Sequence, residues 1–565
     1  MLVQKKPGIA FLLATAAALV ACGGGGGGGS SSTTTTSSTS STSSSTAASS
    51  ASTSSNASSS ATLVGSLGAT GWATYGTGTT GGNSATAAKT YTVSTRVQLI
   101  QALYGNSATI NADGSIASGS LDSSAKIIYV SGEISLNTNK AGTELTEADY
   151  ICPIGTSFSY SGSSGSVTTS TTVLYSFDAY KTQYDPNGSW GTTAVEKSGD
   201  PYEVARACSA ANQKKIVYLS VPSNTSIIGL GSNAKIVHGS LVVGASSSTT
   251  VDNVVIRNIA FEDAFDFFPI WDPTDSGGRW NSAYDLVSVM YATHVWIDHN
   301  TFSDGSRHDK LYPSPFASPY NAAEMKIQHH DGALDITKTA NYVTASWNHF
   351  HDHDKTNLIG GTDTVSTSNA ASAENPTALK ITFHHNYWQN IKQRQPRVRY
   401  GMVHIFNNYF ENTLDSTADY YWSAGMVTGQ GGKLYMENNV FALSGGSPSA
   451  STVYSGASDS TKATTCATTM NKTVTAYTPV ATYDANFCSA YAYGTGNVLN
   501  GSTIDLSAVS ATGVVTWTTT PWFASGKTTG TPDATPSSYY SYTSVLEATS
   551  NLATTIPAGA GAGKL

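Results

Sequence analysis

The chain has 565 residues and a net charge of −8, from 29 Lys and Arg against 37 Asp and Glu. Charged residues make up only 12% of it, and no basic run interleaved with aromatic residues occurs, which excludes an obvious nucleic-acid-binding surface. The chain is long enough to bury a large hydrophobic core.

Residues 1–21 have the pattern of a signal peptide. Lys5 and Lys6 precede an apolar run over residues 9–20 that is too short to span a bilayer. The small residues before Cys22 resemble a bacterial lipobox, in which this cysteine becomes a lipid-modified N-terminus. An ordinary signal peptide followed by a chance cysteine is the alternative. Both interpretations predict a secreted, extracellular protein, and the lipobox adds an anchor at the bacterial outer-membrane surface.

Residues 22–61 consist of Cys22, seven consecutive glycines and then almost only Ser, Thr and Ala. Such a segment cannot bury enough apolar surface to offset the entropy lost on ordering. It therefore predicts a flexible tether, and residues 62–565 are predicted to form one folded domain.

Four cysteines remain once Cys22 is set aside: Cys152, Cys208, Cys466 and Cys488. Four cysteines allow three pairings, and an exported protein favours disulfides over free thiols. Pairing each cysteine with its neighbour in the sequence closes the shorter loops and is the arrangement we expect. A metal–thiolate site is not expected because no Cys-x-x-Cys occurs.

The domain is predicted to be rich in strands. Helical periodicity is confined to residues 97–103, with Ser94 or Thr95 as the N-cap. The insert over residues 136–207 is expected to form loops around Cys152. Asn, Gly and Ser separate the remaining short β-branched runs, which predicts strands. The first of these runs cover residues 126–130, 216–219, 226–229, 235–237, 240–243 and 254–256.

A loose repeat favours a parallel β-helix. An Asn with an aromatic residue two positions later follows a β-rich run five times, and Asn386 and Asn408 are 22 residues apart, about one coil. Stacked coils place like residues above like, so asparagines should form a ladder at a bend while aromatic rings stack inside. A sandwich or propeller would be expected to repeat more regularly. The helix near 97–103 would cover the open end of the stack. The five asparagines are Asn300, Asn348, Asn386, Asn408 and Asn439.

Acids and permanent cations are concentrated in one part of the sequence. Asp331 and Asp335 lie four residues apart, Lys355 ends the sequence His-Asp-His-Asp-Lys, and Arg394 and Arg399 flank a proline. Carboxylates suit a hard cation that prefers oxygen ligands, and the lysine and arginines suit carboxylates on a substrate. A polyuronate held through calcium satisfies both. The alternatives are solvated loop acids, a surface ion-pair cluster, or zinc bound by some of His329, His330, His349, His351 and His353.

These motifs, in combination and order, resemble the pectate lyases of the extracellular β-helix polysaccharide lyase family 1. The resemblance rests on the sequences Val-Trp-Ile-Asp-His at 295–299 and Asp-Gly-Ala-Leu-Asp at 331–335, on residues 347–355, and on Arg-x-Pro-x-x-Arg at 394–399. It implies an all-β, right-handed parallel β-helix with a short N-terminal capping helix. It also implies calcium-dependent cleavage of polygalacturonate by β-elimination, and we expect a monomer.

The resemblance also implies roles for individual residues. Calcium is expected at Asp285, Asp331 and Asp335, substrate carboxylates at Lys355 and Arg399, and the catalytic base is expected to be Arg394. Some relatives carry another acid where this chain has Ala283, which implies weaker metal binding without substrate. An arginine base implies an alkaline optimum. Structural roles are expected for Asp298, His299 and Arg397, while Trp271 and Trp280 are either core residues or platforms for a sugar ring.

Three other functions fit parts of the sequence. A polygalacturonase would need acid and base carboxylates, but its Asn-Thr-Asp, Asp-Asp and Gly-His-Gly motifs do not occur. A pectin lyase lacks the calcium acids. A non-catalytic adhesin or glycan-binding module would use the tether equally well, but it would not need Arg394.

Overall fold

The computed structural model describes residues 70–162, 165–368, 370, 372–471, 488–511, 514–516 and 536–565. The signal peptide, Cys22 and the whole tether lie outside these residues and stay predictions. No helix within the described ranges has both the length and the apolar character needed to cross a lipid bilayer.

Each coil of the chain passes through three sheets in turn, which confirms the predicted parallel β-helix. Sheet 1 comprises Thr90–Val93, Lys126–Val130, Thr225–Gly229, Val251–Arg257, Ala292–Asp298, Asn341–Ser346, Lys380–His384, Met402–Phe406, Lys433–Glu437, Ala490–Thr495 and Val514–Thr516. Sheet 2 comprises Glu133–Ser135, Lys235–Val237, Ala260–Glu262, Thr301–Ser303, His349–Lys355, Tyr387–Gln393, Tyr409–Thr413, Val440–Ser444, Val498–Leu499 and Ser502–Thr503. Sheet 3 comprises Tyr218–Val221, Ser240–Val243, Val287–Met290, Leu334–Thr337, Leu358–Ile359, Arg397–Val398, Met426–Thr428 and Tyr454–Gly456.

The parallel register stacks apolar side chains into continuous columns. In sheet 1, Val295 pairs with Val343, which pairs with Ile381, and Val403 follows in the next coil. All four side chains are buried, because alternate residues of a strand point to the same face. This column explains why the sequence shows short β-branched runs at each coil.

Helices and hairpins decorate the stack. The α-helices are Arg96–Leu103, Glu147–Tyr150, Phe177–Gln183, Pro201–Val217, Ala450–Val453, Ser460–Asn471 and Thr549–Gly559. The 3-10 helices are Trp72–Thr74, Ala87–Lys89, Asp309–Leu311, Ala323–Met325 and Pro536–Ser538. Antiparallel hairpins pair Thr109–Ile110 with Ile116–Ser118, Ser157–Gly162 with Gly165–Ser170, and Ile270–Asp272 with Arg279–Asn281.

The helix predicted near 97–103 is present as Arg96–Leu103. The side chain of Thr95, rather than that of Ser94, accepts the N–H of Gln98 and caps it. Leu99 and Leu103 are fully buried in the main core. The helix therefore closes the apolar interior beside the first coil, as expected.

A 17-residue helix, Pro201–Val217, was not predicted, and residues 216–217 were wrongly assigned to a strand. Asp200 caps this helix, Pro201 is its first residue, and four alanines supply its helix propensity. Its apolar side chains are mostly small, so the sequence has no strong helical period. The insert over 136–207 is likewise more ordered than predicted, since it contains two short helices, a hairpin and the start of this helix.

Both predicted disulfides are formed. Cys152 bonds to Cys208, and Cys466 bonds to Cys488. The first ties the insert to the helix Pro201–Val217. The second ties the helix Ser460–Asn471 to the segment that enters the next strand of sheet 1.

The predicted asparagine ladder occupies the bend between sheets 1 and 2. From Asn348 onward, each asparagine side-chain oxygen accepts both the backbone N–H and the side-chain amide of the asparagine in the preceding coil. For the pair Asn348 and Asn386 the distances are 2.9 and 3.0 Å. The ladder has a sixth member, Asn497, which pairs with Asn439. The sequence repeat missed it because Leu499 replaces the aromatic residue. Inside the ladder, the rings of Phe302, Phe350, Trp388, Phe410 and Phe441 stack in that order.

Asn386→Ala should lower the free energy of unfolding by about 2–5 kcal/mol, because it leaves two donors of Asn348 and the Ala345 carbonyl unpaired in the core. The measurement is urea-induced unfolding. The exposed Asn551, in the C-terminal helix, provides the control; Asn551→Ala should change stability by less than about 0.5 kcal/mol. If both substitutions lower the free energy of unfolding equally, the ladder hydrogen bonds do not contribute the stability expected of them.

Candidate active site

Three carboxylates meet on the outer face of sheet 3. Asp285 lies two residues before the strand Val287–Met290, and Asp335 is the second residue of Leu334–Thr337. Ser288 and Asp335 are register partners in these neighbouring strands. Asp331 enters from the loop just before the second strand, so the three acids come from two successive coils.

Gly332 shows how closely two of these acids approach. A Cβ atom at this position would lie 2.4 Å from Asp335 Oδ1 and 2.7 Å from Asp285 Oδ1. The backbone N–H of Gly332 donates to Asp285 Oδ1 at 2.9 Å, and that of Leu358 donates to Asp335 Oδ1 at 2.9 Å. Only glycine leaves room for both carboxylates here.

The electrostatics of the trio are unfavourable without a cation. Burial raises the pKa of Asp285 to about 6, and the neighbouring Asp331 carboxylate adds to this increase. Burial and then Asp285 raise the pKa of Asp335 well above its usual value. Burial also opposes ionisation of Asp331, but Lys355 and Arg394 outweigh it, so the pKa of this acid is lowered. Oxygen donors that repel one another fit a hard divalent cation such as calcium.

Lys355 lies at the end of the sheet 2 strand His349–Lys355. Its ammonium group contacts Asp331 Oδ1 at 2.7 Å, and its side chain is buried. The predicted substrate-binding lysine is therefore placed within the acid cluster and holds one of its carboxylates.

Three arginines, Arg394, Arg397 and Arg399, follow the sheet 2 strand Tyr387–Gln393 and differ in their surroundings. Arg394 directly follows the strand Tyr387–Gln393 and has a left-handed backbone, with φ 60°. It acts electrostatically on Asp285, Asp331 and Asp335, so it lies beside the trio. Its Nε is buried and has no hydrogen-bond partner among the described residues.

Arg399, in contrast, already has partners. Its Nε contacts Asp363 Oδ1 at 3.0 Å, and it donates to the Gly360 carbonyl at 3.3 Å. Lys462, in the helix Ser460–Asn471, contacts the other oxygen of Asp363 at 2.6 Å. Nothing in the sequence pattern identified Asp363, because its carboxylate lies in an Asp-Thr-Val loop without repeat or motif.

Asp266 is a second acid that the sequence did not reveal. It is buried, and burial raises its pKa to about 6. Its Oδ2 accepts the N–H of Ala283 at 3.0 Å. The carboxylate of Asp266 therefore contacts the backbone of Ala283, the position at which the resemblance implies an additional acid in some relatives.

A second acid group lies in the interior beside the site. Asp304, Asp309 and His330 are buried and offer ligand atoms within 4.8 Å of one another. Lys326, however, contacts both Asp309 and Asp354. A lysine ammonium already supplies positive charge there, so this group is an ion network of the protein rather than a second metal centre.

This network supports the acid cluster from beneath. His353 contacts Asp304 through Nδ1, and its Nε2 lies 2.9 Å from the Asp331 carbonyl. The pKa of His353 is raised because Asp304 outweighs the effect of burial. His349, by contrast, stacks on Tyr387 at 4.5 Å. His353 and His349 therefore contact different residues, and this arrangement does not favour the alternative of a zinc site.

Other sequence expectations have clear outcomes. Asp298 contacts Arg257 of the preceding coil at 2.6 Å and His299 of its own coil at 2.8 Å, which agrees with the structural role expected for Asp298 and His299. Trp271 and Trp280 are completely buried and pack on each other, so neither can stack on a sugar. They are core residues of the loops over the stack.

The fold and the site together define a class of protein, a β-helix enzyme that acts on acidic polysaccharide. The pectate lyase family model matches residues 156–565. A pectate lyase of Bacillus subtilis is 41% identical over 376 residues, covering 66% of this chain and 76% of its own. The chain belongs to the pectate lyase family and is a lyase that cleaves pectate.

Solved structures agree. The pectate lyase of Acidovorax avenae subsp. citrulli has a TM-score of 0.75 and 44% identity, covering 88% of this chain and 95% of its own. A pectate lyase bound to a hexasaccharide has a TM-score of 0.64 and 35% identity, covering 88% of this chain and all 100% of its own.

Gly332→Ala should weaken divalent-cation binding about tenfold or more, because the new methyl group would overlap Asp335 Oδ1 and Asp285 Oδ1. Gly332 has no left-handed φ, so alanine fits its backbone. Calorimetric titration with calcium measures the effect. At Gly361 a Cβ atom would lie 3.7 Å from its nearest neighbours, so Gly361→Ala is the matched control; similar affinities in both variants would contradict the convergence of the acids.

Proposed function

We propose that this enzyme cleaves α-1,4-polygalacturonate by calcium-dependent β-elimination and releases 4,5-unsaturated oligogalacturonides. The observation that carries the proposal is the convergence of Asp285, Asp331 and Asp335 beside Arg394, whose Nε has no hydrogen-bond partner among the described residues. The acids suit calcium, and the cations suit uronates. The hexasaccharide in a solved relative supports an extended sugar chain as the substrate.

Asp285, Asp331 and Asp335 would hold the calcium ion. When bound, calcium would neutralise a galacturonate carboxylate and make the proton on the adjacent carbon easier to remove. Lys355 would move its ammonium group from Asp331 to that same carboxylate, adding to the neutralisation. Arg399, held by Asp363, would bind a carboxylate in a fixed orientation.

Arg394 would take the proton from C5 of the galacturonate. The electron pair of the C5–H bond then forms the C4–C5 double bond, and the C4–O bond breaks. Its electrons leave with the oxygen of the departing chain, which takes a proton from water.

We further propose that the enzyme acts outside the cell. The signal-like residues 1–21 and the cysteine at position 22 support export with a lipid anchor. The two disulfides support an oxidising compartment.

Polygalacturonate cleavage should give a rise in absorbance from the unsaturated product. Dialysis against EDTA should abolish the rise, and added calcium should restore it. Arg394→Ala should lower kcat by at least about a hundredfold, because it removes the proton acceptor. Unchanged activity after removal of metal, or saturated products, would contradict the proposed chemistry.

Calcium titration separates loss of the base from loss of the metal. Arg394→Ala should still bind calcium, whereas Asp335→Asn should bind it less tightly, because an amide replaces a carboxylate ligand. Lys140, exposed in a loop near the N-terminal end, provides a charge control. Lys140→Ala should keep wild-type turnover.

Activity at limiting calcium should fall steeply below about pH 6 and increase toward alkaline pH. The raised pKa of Asp285, about 6, means that protons compete with calcium below that pH. A guanidinium group must release a proton before it can accept one, so higher pH favours Arg394 as base. An optimum near pH 5 with saturating calcium would contradict that role.

The raised pKa of Asp285 also determines how the stability of the folded protein changes with pH. Because the folded-state pKa of Asp285 lies above the usual value of 3.8, its contribution to the stability of the metal-free protein decreases as pH rises through about 6. Calcium should therefore raise Tm more at pH 8 than at pH 5.

A further inference from the structure

Arg397 occupies a defined place on the outer face of sheet 3. It begins the strand Arg397–Val398, and its register partners are Leu358 in the preceding coil and Val427 in the following one. Val398 is completely buried, whereas Arg397 points to the opposite face because side chains alternate along a strand. Arg397 therefore shares the face that carries the acid cluster.

The distance from Arg397 to the acids follows from the register. Leu358 donates its backbone N–H to Asp335 Oδ1 at 2.9 Å, and Leu358 is the register partner of Arg397. Neighbouring strands are about 4.8 Å apart, so Arg397 lies two strands, roughly 10 Å, from the strand of Asp335. One strand therefore lies between Arg397 and the strand of Asp335, a spacing that allows the two positions to contact neighbouring sugars of one chain.

Arg397 also differs from Arg399 in what it contacts. Arg399 is bound to Asp363, but Arg397 forms no ion pair with any residue that the structure describes, and its Nε is buried without a hydrogen-bond partner. An arginine with a purely structural role normally satisfies its donors with carboxylates or carbonyls. This one presents an unsatisfied, partly buried guanidinium group to the outer face of the sheet.

We propose that Arg397 binds the carboxylate of a galacturonate residue neighbouring the one held at the acid cluster, and so acts as a specificity-determining residue for unesterified substrate. This reverses the structural role expected from the sequence, and it rests on the proposed function. A guanidinium group binds a carboxylate through two parallel hydrogen bonds. Such binding would satisfy the buried Nε of Arg397 and relieve its repulsion with Arg394 and Arg399.

Two substitutions at this position separate charge from packing. Arg397→Met keeps most of the aliphatic side chain and removes the charge, while Arg397→Lys keeps the charge and loses the paired hydrogen bonds. With polygalacturonate and saturating calcium, Arg397→Met should raise KM about tenfold to a hundredfold with a much smaller change in kcat. Arg397→Lys should recover part of that loss, and both variants should keep the wild-type Tm within a few degrees.

Methyl esterification supplies a readout that a structural role would not change. An ester carries no charge, so the difference in KM between wild type and Arg397→Met should shrink as the degree of esterification of the substrate rises. Lys140→Ala removes one exposed positive charge in a loop near the N-terminal end and should leave KM unchanged on every substrate.

Several outcomes would overturn the proposal. An unchanged KM in Arg397→Met would overturn it, and so would a loss that follows Tm and is equal in Arg397→Met and Arg397→Lys. A difference in KM that does not depend on esterification would overturn it as well. In all three cases the wild type still forms unsaturated product, so the proposed function stands. If the wild type forms none, the proposed function fails and the role of Arg397 fails with it.

Discussion

Hydrogen bonding along the buried asparagine ladder is the constraint on which the rest of the molecule depends. Each asparagine fixes the height of the next coil through a backbone and a side-chain contact, as between Asn348 and Asn386. Because side chains in a strand alternate, a slip of one residue would turn an inward column outward. The acids and cations of the site come from separate coils, so their convergence requires that this register be kept over the whole stack.

The site itself opposes folding. Burial raises the pKa of both Asp285 and Asp335, and a neighbouring carboxylate adds to each increase. Arg394 and Arg397 each have a buried Nε without a hydrogen-bond partner among the described residues. The stability of the folded core offsets this unfavourable free energy, as it does for strained functional sites generally. Beneath the site, the network around Lys326 has the opposite character, since its acids and bases pair with one another. The network around Lys326 is held by its own ion pairs, whereas the acid cluster leaves charge that a ligand could neutralise.

The sequence predicted the architecture well because the coil repeat leaves a local signal, an asparagine and an aromatic residue after each β-rich run. It also predicted which acids and cations gather, because Asp331, Asp335 and Lys355 are close in sequence as well as in space. It failed where the signal was small or distant. The helix Pro201–Val217 is built on alanines without a strong period. Asp266 and Asp363 reach the site through long loops, so only the tertiary structure reveals them.

Asp363 has one more consequence. It joins Arg399 to Lys462, and Lys462 belongs to a helix whose Cys466 is bonded to Cys488. The helix that carries Lys462 thus helps to fix the guanidinium group of Arg399, which we propose binds a substrate carboxylate. The entropy of ordering that side chain is then lost during folding rather than on binding. If Arg399 binds substrate as proposed, changes in the helix Ser460–Asn471 would alter affinity for the polymer without changing the acids or Arg394.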